Sequence, residues 1–213
     1  MISESAVNLD YDSQSCNFLA GDKVRVIDLL SAMLIYSGND SANALAEYIT
    51  TDSYELEKIM NDKLNSLGAT NSYFDNPSGL HSYNHFSSAY DIYLIFNKCL
   101  QYDTFKNIIN KSSYSCNVIH SNQIEEQYTW ESTIYYYNGL ASFPLNYNLL
   151  GGKTGTTDEA GACLTIYFKD KNNNEYIAIF LNATSKEELY NNISILVESI
   201  ENLESKTDNN NEK

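Results

Sequence analysis

Gly151-Gly152-Lys153-Thr154-Gly155-Thr156-Thr157, followed by the β-rich runs Ala162 to Lys169 and Glu175 to Asn182, is the stretch whose reading decides the fold. The two runs are joined by the turn-forming Asp170-Lys171-Asn172-Asn173-Asn174, which makes them an antiparallel hairpin. Ahead of it, the glycine-rich segment reads as a turn leading into a strand. It combines an ammonium, hydroxyls and glycines that let a ligand approach the backbone, so it can seat a carboxylate. A phosphate-binding P-loop is excluded, because that motif needs glycine where Tyr147 stands.

After the hairpin, Ser185 caps an amphipathic helix to about Leu203, with Leu189, Ile193, Leu196, Val197 and Ile200 on one face. Residues 205–213 read as a polar, disordered tail, leaving 1–204 as one domain. Upstream, Val26 to Ile35 is helical until Ser37-Gly38-Asn39-Asp40 breaks it. Ser41 to Ile49 forms a second helix, and Thr51 or Asp52 caps a third that ends at Leu67 with Gly68 beyond it. Ala69 to Ser88 is an ordered loop. Ser87 or Ser88 caps a helix from Ala89 to Leu100, and Asp103 caps a shorter one to Asn110. Lys111 to Leu149 mixes short strands and loops, with Tyr135, Tyr136 and Tyr137 in strand packing or at the surface. A helical block followed by an antiparallel hairpin and a closing helix predicts an α+β domain.

Composition narrows the function. With 213 residues and 43% hydrophobic content the chain can bury one ordinary core. Thirteen basic against twenty-eight acidic residues give a net charge of −15, which opposes nucleic acid and anionic lipid. No apolar run is long enough to span a bilayer, and Ser3, Glu4 and Ser5 stand where a signal peptide would be basic and then apolar. Cys16, Cys99, Cys116 and Cys163 have neither metal-type spacing nor a CxxC pair, and read as buried free thiols. His81 and His85 are spaced four apart, but no glutamate completes a zinc-peptidase motif and no third ligand is evident. His85 is expected to hydrogen-bond within its loop.

Several consecutive blocks resemble those of the serine D-Ala-D-Ala carboxypeptidases, in their order and spacing. They are Ser37-Gly38-Asn39-Asp40-Ser41-Ala42-Asn43-Ala44-Leu45-Ala46-Glu47, then Met60-Asn61-Asp62-Lys63 through Leu67-Gly68, then Asn76-Pro77-Ser78-Gly79-Leu80 with His85 and Ser87 to Asp91. Lys153-Thr154-Gly155 with Asp158, Ala160-Gly161 and Cys163-Leu164 completes the series. The blocks around Asn76 and Asp91 favour a carboxypeptidase over a β-lactamase. The resemblance implies the β-lactamase-like fold of the penicillin-binding proteins, an antiparallel sheet with packed helices.

It also implies removal of the terminal D-alanine from peptidoglycan stem peptides through an acyl-enzyme, inhibition by β-lactams, an extracytoplasmic location and no cofactor or metal. Ser37, Asn39 and Lys153 would be catalytic. Ser37 would pass a proton to the departing amine, while Asn39 would hold the peptide amide and the lysine of the nucleophile motif. Lys153, Thr154, Gly155 and Thr156 would bind substrate, the first two through its carboxylate and Thr156 as an oxyanion donor. The family's nucleophile lies in a Ser-x-x-Lys motif, yet no serine or threonine here has lysine three residues on. The expectation is a chain that starts at an internal methionine, lacking the first helix and two strands of the fold and inactive as it stands. The alternative is a natural, non-catalytic remnant that binds muropeptides or β-lactams.

Overall fold

The computed structural model describes residues 1–11 and 13–211, with side chains to residue 200. Its elements run α1 (Glu4–Val7), α2 (Val26–Ser31), α3 (Asn39–Ile49), α4 (Ser53–Leu67), α5 (Ala89–Cys99), α6 (Asp103–Ile109), β1 (Ser113–Ile119), β2 (Glu125–Glu131), α7 (Tyr135–Asn138), β3 (Tyr147–Thr157), β4 (Gly161–Asp170), β5 (Glu175–Ala183) and α8 (Lys186–Asn211). This is the α+β order expected.

Local chemistry sets many of the helix ends. The Asp52 carboxylate accepts the N–H groups of Tyr54 and Glu55 to start α4, and Gly68, at φ +79°, ends it in the left-handed conformation. Ser88 caps α5 through the N–H of Asp91. At α6 the expectation needs correcting: Tyr102 occupies the cap position without a side-chain bond, and Asp103 falls in the first turn, where its charge suits the helix dipole. The loop after α4 is built on Asn76, whose Oδ1 accepts from Gly79 N at 2.8 Å and whose Nδ2 donates to Leu80 O at 2.9 Å. These bonds shape the Ser78–Leu80 wall of the cleft described below.

The main sheet has the order β3-β4-β5, all antiparallel, with β5 as an edge strand. A separate hairpin pairs β1 with β2. Gly151 to Thr157, expected as a turn before a strand, is itself strand, because pairing to β4 along its length outweighs the poor strand propensity of its glycines. Alternation then divides the sheet. Leu164, Ile166 and Phe168 of β4 face α8 and meet Leu189, Ile193 and Val197 in the larger core. Tyr167 faces the other way and packs with Phe96 of α5 and Ile109 of α6. Lys153 pairs with Thr165, so its side chain lies on the same face as Tyr167, toward the helical block. Gly152 points to the α8 side, where an added Cβ would lie 2.4 Å from Thr165 O. Gly152→Ala must therefore displace β3 from β4, and thermal unfolding should register a loss of about 1–3 kcal/mol.

Three further expectations change. Leu196 is 42% exposed, and Tyr190 (6%) takes its place on the α8 core face, stacked on Tyr135 at 4.9 Å. Tyr135, Tyr136 and Tyr137 form the helical turn α7 rather than a strand, because the rings of Tyr135 and Tyr136 gain more by packing on Tyr190 and Phe143 than by extending. Finally, α8 runs past Leu203 into the predicted tail, with no Gly or Pro there to stop it; residues 212–213 lie outside the described residues. Among the described residues no helix is long and apolar enough to cross a membrane.

Candidate active site

Helix α2 passes into a π-helical turn, Ala32–Tyr36, in which the N–H of Ser37 bonds back to Ala32 O. Ser37 then takes a left-handed conformation, φ +68° and ψ +36°, which costs a non-glycine residue on the order of 1 kcal/mol. The effect is a sharp corner that frees the Ser37 side chain from both helices. Across the gap, β3 brings Lys153, whose Nζ donates to Ser37 Oγ at 2.7 Å and to Thr154 O at 2.8 Å. Ser37, Asn39, Lys153, Thr154, Gly155 and Thr156, the six residues expected from sequence, all line one cleft of about 430 Å³.

Electrostatics give the cleft a purpose. Burial lowers the Lys153 pKa from its ordinary 10.5 to about 8. Both hydrogen bonds found for its ammonium end on neutral oxygens, and among the described residues no ion pair with a carboxylate offsets the desolvation. A half-buried cation in that position gains from an anionic ligand. Beside it, Thr154 Oγ1 lies 2.6 Å from Thr133 Oγ1, so one hydroxyl of the pair can donate to a ligand while accepting from the other. Gly155 and Thr156 are exposed, leaving the β3 backbone open along the cleft.

Sequence reasoning missed Gln14, Thr133 and Lys186, which also line the cleft. Thr133 ties its two halves together, since its N–H donates to Ile35 O in the π-helical turn while its hydroxyl meets Thr154. Lys186, the first residue of α8, adds a second ammonium, held 5.4 Å over the Tyr135 ring. The two histidines weighed for zinc have separate partners. His85 stacks on Phe74 and bonds Asp75 at 3.2 Å, while His81 sits 3.7 Å from Glu159. No group of three candidate ligands occurs among the described residues.

Residues 1–185 match the family described as D-alanyl-D-alanine carboxypeptidase, peptidase S11. The chain belongs to this carboxypeptidase family. It is 33% identical over 167 residues to the D-alanyl-D-alanine carboxypeptidase DacF of Bacillus subtilis, covering 78% of this chain and 40% of that protein. It is also 33% identical to DacC of Escherichia coli over 141 residues, 66% of this chain and 32% of that one. The chain thus spans less than half the length of these carboxypeptidases. A mutant of the Streptomyces K15 DD-transpeptidase superposes with a TM-score of 0.83 at 22% identity, covering 93% of this chain and 77% of that one. The fold is accordingly that of the penicillin-binding DD-peptidases, as the sequence motifs implied.

Proposed function

We propose that this chain carries the substrate-holding part of a serine D-Ala-D-Ala carboxypeptidase site, which works on peptidoglycan stem peptides outside the cytoplasmic membrane. The observation that supports this most is the 2.7 Å contact between Lys153 Nζ and Ser37 Oγ, made by two motifs 116 residues apart at the floor of one open cleft. In this reading the terminal carboxylate of the peptide lies against Lys153 and the Thr154 hydroxyl. The peptide runs antiparallel or parallel to the open backbone of β3 at Gly155, and the Thr156 N–H meets the oxygen of the scissile carbonyl. Ser37, hydrogen-bonded to an ammonium whose pKa is near 8, would relay a proton to the departing amine of D-alanine.

The nucleophile is the missing part. Because no serine or threonine of the 213 residues precedes a lysine by three, the chain as it stands is proposed to bind peptide and β-lactam without forming an acyl-enzyme. Two measurements test this together. N-acetyl-D-Ala-D-Ala should perturb the amide resonances of Ser37 and Lys153 to Thr156 in NMR spectra, and the L,L dipeptide should do so less. A fluorescent penicillin should leave no covalent label on the denatured chain. Equal response to both dipeptides would overturn the site assignment, and a covalent label would overturn the non-acylating reading.

A further inference from the structure

Ser13 to Phe18 crosses the back of the Ser37 corner, and Gln14 holds both of its flanks. The Gln14 carbonyl accepts two bonds from Asn39, one from the backbone N–H at 2.9 Å and one from Nδ2 at 3.0 Å. Its own side-chain Nε2 donates to Tyr36 O at 3.1 Å. The segment is pinned in turn by Asp40, which accepts from Ser15 Oγ at 2.8 Å and from Cys16 N at 3.0 Å. It presses so closely that a Cβ on Gly38 would lie 2.2 Å from Cys16 Sγ.

We propose that Gln14 is a positioning residue of the cleft, fixing the carboxamide of Asn39 and the left-handed corner at Ser37 from outside both motifs. Asn39 is 8% exposed and gives one of its two Nδ2 hydrogens to Gln14 O, so its carboxamide keeps Oδ1 as an acceptor and one N–H as a donor for a ligand. An acceptor beside a donor suits a peptide amide, which offers both an N–H and a carbonyl oxygen. The carboxamide of Gln14 contributes by tying Tyr36 O, the carbonyl immediately before Ser37, to the same residue that holds Asn39. That tie adds to the bonds of the Ser37 and Gly38 N–H groups to Ala32 O in holding the corner at φ +68°, and without it Ser37 and Asn39 are coupled less tightly. The inference rests on the reading of the cleft as a D-Ala-D-Ala site only for the identity of the ligand; the positioning itself does not.

Gln14→Met tests it, because methionine keeps the length and removes the donor, while the Gln14 side chain is exposed and its loss should leave the melting temperature unchanged. In ligand-free NMR spectra of the whole chain, the Asn39 Nδ2 resonances and the Ser37 amide should shift and exchange faster with water in the variant. Affinity for N-acetyl-D-Ala-D-Ala should fall roughly fivefold, the value of one net hydrogen bond, and Gln14→Asn should not restore it because its shorter side chain cannot reach Tyr36 O. Unchanged Asn39 and Ser37 signals in Gln14→Met would overturn the proposal, as would a drop in melting temperature with those signals intact. Should wild-type chain fail to bind the dipeptide while the ligand-free signals respond, the functional reading fails and the positioning role stands.

Discussion

Lys153→Met should abolish detectable binding of N-acetyl-D-Ala-D-Ala and at the same time raise the thermal stability of the chain. Removing one partner of a desolvated charge pair costs 2 kcal/mol or more, so affinity should fall by at least about 30-fold in calorimetric titration. The stability effect has the opposite sign. Lysine ordinarily titrates at 10.5, and here at about 8, so the folded state disfavours the charged amine that it nonetheless carries at pH 7. Between those two values the unfolded chain binds a proton that the folded chain does not, and the Lys153 contribution to stability rises with pH across that window. At pH 7 methionine removes the penalty, a gain of about 1 kcal/mol. Wild-type affinity for the dipeptide should also decline as pH passes 8, approaching tenfold per unit, because the anion needs the protonated amine. A variant that loses both binding and stability would show that Lys153 is held by packing rather than kept as a poised cation.

Asp40→Ala is the change expected to damage the fold most. Asp40 is fully buried at the start of α3 and accepts from Ser15 Oγ, Cys16 N and Ser41 N, with Phe18 N at 3.4 Å. Alanine strands the buried N–H groups of Cys16 and Phe18, each worth about 1–3 kcal/mol when left without a partner. The expected loss is about 3–5 kcal/mol in urea unfolding, the range for breaking a buried charged network. Asp40→Asn keeps one oxygen and should lose less. Its oxygen can keep the bonds from Cys16 N and Ser41 N, but its amide would then place a donor against the N–H of Phe18, so it should still fall below wild type.

Much of the candidate site could be read from sequence because its chemistry sits in short contiguous runs. Ser37 to Asn39 breaks a helical pattern, and Lys153 to Gly155 joins a cation to a glycine-rich segment. Likewise Asp52, Gly68 and Ser88 mark helix ends by local hydrogen bonding, which needs no tertiary partner. Gln14 and Thr133 escaped because they carry no motif. Each acts through a carbonyl or hydroxyl that becomes relevant only when the fold brings it to Asn39 or Thr154. The strand character of β3 was hidden for a related reason: three glycines and three threonines between Gly151 and Thr157 favour no regular structure until β4 pairs with them. Tyr135 to Tyr137 misled in the opposite direction, since β-favouring aromatics were recruited into a helical turn by Tyr190.

The edge position of β5 also leaves copies of this chain a surface on which to pair. Its outer side presents backbone donors and acceptors over Glu175–Ala183 that another strand could use. Opposing such pairing is a net charge of −15, a long-range repulsion. That defence is colloidal, and it weakens with ionic strength: the screening length shrinks from about 10 Å at 0.1 M salt to about 3 Å at 1 M. Light scattering of this chain should therefore rise with added salt as that repulsion is screened.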